Sequence, residues 1–172
     1  MLKNGVPPTA ASITLKVIFF VLIVYSANLC YGFAHEAAHA LVIETLGGQV
    51  YEIHVNLFGT DAYTAHSAVT GTAGIVSLEL AGMAVTTALA FFTLLSDYAP
   101  IPVFIAIRTA IYALNYSPGT DISTVQQVLG NGSFIISLLL VALNLACAAV
   151  AIGAVTQNAS IREPVLERFL HF

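Results

Sequence analysis

Long apolar runs divide the chain, and its polar residues gather between them. From Ile13 the sequence turns hydrophobic, and Val17 to Tyr31 is nearly unbroken. Helix-compatible residues then continue through His35 to Leu46, where Gly47-Gly48 stops them, as glycine does at a helix C-terminus. Thr72 to Leu95 forms a second run, in which Gly74, Gly82 and many alanines permit close helix packing. A third starts at Ile101 and meets Asn115-Tyr116-Ser117-Pro118-Gly119 just past Leu114, where proline and glycine must break or kink it. Phe134 to Val155 is the last. Residues 49–70 differ in kind: Val50, Ile53, Val55 and Leu57 are interspersed with polar partners, which predicts a short β-hairpin or paired extended segments. Residues 1–12 read as a lead-in and Ser96 to Pro100 as a turn with interfacial Asp97 and Tyr98. Gly130-Asn131-Gly132 reads as another turn, and the tail from Thr156 as polar and amphipathic. A signal peptide over the first run is disfavoured, because the pattern continues without a small-residue cleavage site.

Composition decides what solvent these runs face. The 172 residues are 58% hydrophobic and 8% charged, whereas soluble domains are about 45–50% apolar and about 25% charged. A soluble globule of this size would lack the charged groups to cover its surface. The expected fold is therefore an all-α membrane protein with about four transmembrane helices, each needing about 20 apolar residues. A short β-hairpin lies between the first and second at the membrane surface, and the third helix is broken. One membrane-embedded domain over residues 1–172 accounts for the chain, and no internal repeat is visible. The expected location is multi-pass in a membrane, the cell membrane by preference. The five Lys and Arg are scattered and net charge is -4, so there is no basic patch for nucleic acid. Cys30 and Cys147 lie in apolar stretches and read as small buried hydrophobes.

The chemistry concentrates at the end of the first run, in His35-Glu36-Ala37-Ala38-His39. On a helix, positions i and i+4 face one way, so both imidazoles can bind one Zn²⁺. Glu36, beside the first histidine, is then placed to accept a proton from water at the metal. Each ionisable group at mid-membrane costs at least about 2.5 kcal/mol, which argues against three of them serving only as packing. A catalytic zinc normally takes a third protein ligand. Asp121, Asp61, His54, His66 and Glu79 are the candidates. Asp121 is best placed, because it follows the helix break in a segment that could line a cavity. His54 and His66 read as solvent-facing, and Asp61 as a turn residue.

These features resemble the site-2 protease family of intramembrane zinc metalloproteases. The likeness rests on H-E-x-x-H near the end of an early spanning helix, on Gly47-Gly48 and the following β-segment, and on Ala73-Gly74 opening the next span. Asn115-x-x-Pro118-x-x-Asp121 completes it. It covers roughly residues 28–130, within a catalytic core of about residues 13–130. The resemblance implies that His35, His39 and Asp121 bind zinc and that Glu36 is the general base. It further implies that Asn115 helps hold the substrate backbone and that Pro118 shapes the break. The implied substrate is a transmembrane or membrane-associated protein, cut within or at the edge of the bilayer. This chain departs from the family in its shortened Asn115-to-Asp121 gap, in Ile122 after the aspartate, and in Leu78 where the family has asparagine. The segment at 49–58 could supply an edge strand that holds a substrate extended.

Other polar residues within the runs also need partners. Ser26 and Asn28 read first as hydrogen-bonding glue between helices, and Glu79 with Arg108 as an ion pair. Two other functions remain open from the residues: a metal-ion transporter or sensor using His35 and His39, and an inactive protease-like scaffold. Glu36 discriminates among them, since only hydrolysis needs its basicity. For orientation, Lys3, Lys16, Arg162 and Arg168 put both termini in the cytosol, whereas the family resemblance puts the N-terminus outside.

Overall fold

Glycine punctuation and apolar run length set the elements. The computed structural model describes residues 10–59, 61–96 and 98–158. Asp97, the amphipathic tail from residue 159 and three of the four charges bearing on orientation (Lys3, Arg162 and Arg168) lie outside the described residues. Helix α1 (Ala10–Thr45) takes up the whole first run. At 1.5 Å per residue its 36 residues reach roughly 54 Å, well beyond a hydrocarbon core of about 30 Å. Gly47, at φ 79°, ends it in a Schellman arrangement. Gly47 N–H donates to the Glu44 carbonyl and Gly48 N–H to that of Ile43, at 3.0 and 2.9 Å. The helix has two regimes: Ile13 to Leu22 are mostly exposed, whereas Tyr31, His35, Glu36, Ala38, His39, Ala40 and Ile43 are buried.

Strands β1 (Val50–Val55) and β2 (Ala62–His66) form an antiparallel hairpin, paired from Val55–Ala62 through Ile53–Thr64 to Val50–His66, with a bulge between Val50 and Glu52. The expected hairpin is therefore present. Its turn carries Gly59 at φ 62°, a conformation that suits glycine and brings its backbone against Asn28. Gly32 lets the hairpin lie close along α1, since a Cβ there would sit 3.2 Å from Val55.

Helix α2 (Thr72–Thr93) follows, then α3 (Pro100–Ala113), α4 (Asp121–Leu129) and α5 (Gly132–Asn158). Of the described helices, α1, α2 and α5 are long and apolar enough to cross a membrane. The fourth expected span is shorter. α3 opens on Pro100, a favoured first helical residue, and its 14 residues cover about 21 Å. The expected break is complete, because Pro118 and Gly119 (φ 86°) cannot continue the helix and the chain restarts as α4 at Asp121. Two buried clusters hold the bundle. Tyr31, Ala90, Ile105, Ala106, Cys147 and Ala148 join α1, α2, α3 and α5. Met83, Ala113, Ile122 and Val125 join α2, α3 and α4, and so fix the start of α4 beside α2. Asn144 adds a buried hydrogen bond from α5 to Thr87 of α2 at 2.8 Å.

Candidate metal centre

The last three turns of α1 present both histidines on one face, as the i, i+4 spacing requires. Asp121, 86 residues after His35, reaches them because it opens α4 after the loop 114–120 and α4 packs on α2. The Asp121 Oδ2 lies 2.9 Å from His35 Nε2 and 3.4 Å from His39 Nε2. Donor atoms of the three residues all fall within 4.8 Å of one another, and among the described residues this is the group able to hold a metal ion. Zinc bonds of about 2.0–2.2 Å at tetrahedral angles separate neighbouring donors by roughly 3.3 Å, so the spacing suits the ion.

Hydrogen bonding supports the same reading. His39 Nδ1 lies 2.8 Å from the Leu78 carbonyl, which can only accept, so Nδ1 carries the proton. A neutral ring then turns the Nε2 lone pair toward the Asp121 carboxylate. Two acceptors face each other across 3.4 Å, an arrangement that calls for a cation or a proton between them. Leu78 sits where the resemblance expects asparagine, and its backbone carbonyl rather than a side chain orients the second histidine.

Glu36 is buried beside this group. The Thr64 hydroxyl, from β2, lies 2.9 Å from Glu36 Oε2 and 3.0 Å from the Glu36 carbonyl oxygen, so the hairpin fixes both this carboxylate and its backbone. A cavity of about 180 Å³ opens here, lined by Glu36, His39, Thr64, Glu79, Asp121 and neighbouring residues. Its hairpin wall is Ala62, Tyr63, Thr64 and His66, all of β2. The edge expected at residues 49–58 is thus not the one at the cavity, because β2 is the strand that bonds to Glu36.

The remaining candidates separate clearly. His66 lines the cavity rather than facing solvent alone, and its Nδ1 lies 2.7 Å from the Ser67 carbonyl. His54 stacks on Tyr63 across the hairpin with ring centroids 5.0 Å apart, away from the group. Asp61 is exposed in the hairpin turn. Asn115 and Pro118 are exposed and do not line the cavity, although Gly119 does. The Asn115 Oδ1 accepts the Ser117 N–H at 3.3 Å, closing the loop that delivers Asp121. The expected Glu79–Arg108 ion pair is not formed: Glu79 faces the cavity, while Arg108 donates to Asn28 and to the Gly59 carbonyl. Asn28 does act as glue, since it also donates to the Phe58 carbonyl.

Gly82 is the closest neighbour the sequence could only partly announce. A Cβ there would overlap the His35 ring itself. Gly82→Ala is therefore expected to cost about 1–3 kcal/mol of stability by overpacking and to displace His35. Thermal melts check this: the variant should melt below the wild type.

Comparison with protein-family models, with curated proteins and with solved structures returned no match.

Proposed function

We propose that this chain is a membrane-embedded zinc endopeptidase that hydrolyses peptide bonds of transmembrane or membrane-associated protein substrates. The observation that carries the reading is the shared cavity: a buried glutamate meets His39 and Asp121, two of the three grouped donors, at one opening, with His35 next to them. His35, His39 and Asp121 would hold the ion, which when bound lowers the pKa of water and polarises a carbonyl. Glu36 accepts the proton of the attacking water and delivers it to the leaving amine. Thr64 holds the Glu36 carboxylate toward the cavity, so the base need not reorient at each turnover. A helical substrate must unwind to expose its carbonyl, and β2 borders the place where the extended segment would lie. Length and composition of α1, α2 and α5 support the bilayer as the setting.

The test is cleavage of a transmembrane peptide panel by purified zinc-loaded chain in lipid nanodiscs, with products identified by mass spectrometry. Cleavage that disappears on zinc removal and returns on zinc addition is the expected result. Zinc movement across vesicles without any cleavage would favour a carrier instead, which has no need of a base at Glu36. Thr64→Val removes the donor to Glu36 at nearly constant volume. It should lower the turnover rate roughly 10–100-fold with zinc affinity unchanged, the loss of one hydrogen bond to a charged group being worth roughly 1.5–3 kcal/mol. Thr64→Ser should restore most of the rate.

A further inference from the structure

We propose that Arg108 is a positioning residue for the metal centre, acting on His35 through the ring of Tyr31. The inference rests on the reading of His35 as a metal ligand. Metal-ligating histidines almost always donate their second ring N–H to an oxygen, which fixes the ring. His39 obeys this through Leu78. His35 does not, since its Nδ1 is buried without a hydrogen-bond partner among the described residues. Ring packing therefore has to orient it. Tyr31 stacks with His35 at a centroid distance of 6.0 Å and an interplanar angle of 20°, Tyr112 lies at 5.4 Å, and Gly82 admits the ring.

Tyr31 is held in turn. It is 1% exposed, and the Arg108 guanidinium carbon stands 4.3 Å from its ring centroid, within cation–π range. Thr109, the neighbour of Arg108 on α3, lies 3.4 Å from the Tyr31 hydroxyl. Arg108 is anchored at its other donors by the Gly59 carbonyl at 2.6 Å and by the Asn28 Oδ1. Asn28, Tyr31 and His35 follow one stripe of α1 at i, i+3 and i+7. The guanidinium thus ties the hairpin turn, the upper part of that stripe and α3 together. Among the described residues it has no carboxylate partner. A cation kept in an apolar helix and spent on two neutral oxygens and an aromatic face is placed to fix geometry.

The test is a double-mutant cycle read by cobalt(II) titration of the full chain in detergent, with the d–d absorption band as a second readout. Arg108→Met should weaken cobalt binding about 10-fold, in the range of other outer-shell losses, and shift the band. Arg108→Lys should fall between, because an ammonium can stand over Tyr31 but cannot bridge Asn28 and Gly59 together. Tyr31→Leu should weaken binding at least as much, and adding Arg108→Met to it should change nothing further. Should Arg108→Met fail to fold, the cycle of Arg108→Lys with Tyr31→Leu measures the same coupling. Wild-type affinity in the Arg108 variants, or effects that multiply in the double variant, would overturn the proposal. A wild-type chain that takes up no cobalt would overturn the metal reading itself, and this inference with it.

Discussion

Glu36→Gln is expected to abolish peptide hydrolysis, with a fall of roughly 10²–10⁴-fold, the usual contribution of a positioned general base. Metal affinity should stay nearly unchanged, because Glu36 is not one of the three grouped donors. The substitution is close to isosteric, and the amide oxygen can still accept from the Thr64 hydroxyl, now 2.9 Å from Oε2. What disappears is the basic lone pair. Cleavage of a fluorogenic transmembrane peptide, measured beside a zinc titration of the same preparation, separates the two effects. Cleavage at the wild-type rate in the variant would remove Glu36 from the mechanism. Loss of metal together with activity would instead make it part of the binding group.

Asp121→Ala is expected to weaken zinc binding by more than about 100-fold, beyond the roughly 10–100-fold typical of losing an outer-shell partner. The carboxylate is the one anionic donor of the group, and its Oδ2 faces both ring nitrogens. Asp121→Asn should fail nearly as badly, since the charge rather than the shape is lost. Asp61→Ala is the control: its carboxylate is exposed in the hairpin turn, and zinc affinity should not move. Competition against a chromogenic chelator measures all three. The His39 ring should keep its bond to Leu78 in each variant, so circular dichroism should report an unaltered helix content.

Much of this was legible from local sequence because local rules govern it. The i, i+4 spacing of His35 and His39 fixes a shared face on any helix. Gly47-Gly48 ends α1, and Pro118-Gly119 lies in the break between α3 and α4. The proximity of Asp121 to the histidines could be suggested only by the helix break and the family resemblance, because 86 residues separate it from His35. Contacts that depend on packing direction stayed hidden. Thr64 is an ordinary strand residue until β2 lies against α1, and the Leu78 carbonyl carries no side-chain signal at all. Arg108 was legible as a cation needing a partner. Charge alone pointed to Glu79, whereas the fold turned the guanidinium to Asn28, Gly59 and Tyr31. The bounds of α3 follow the apolar run to within one residue at each end, whereas its 14 residues fall short of the about 20 that a full span needs.

Whether His35, His39 and Asp121 hold one zinc ion can be read from X-ray absorption at the zinc edge of the metal-loaded chain. The expected spectrum has a low-coordinate shell of nitrogen and oxygen at about 2.0–2.2 Å with the scattering pattern of two imidazoles, one of which vanishes in His39→Ala. A sulfur shell near 2.3 Å, a shell of oxygens without imidazole, or a spectrum unchanged by His39→Ala would contradict it.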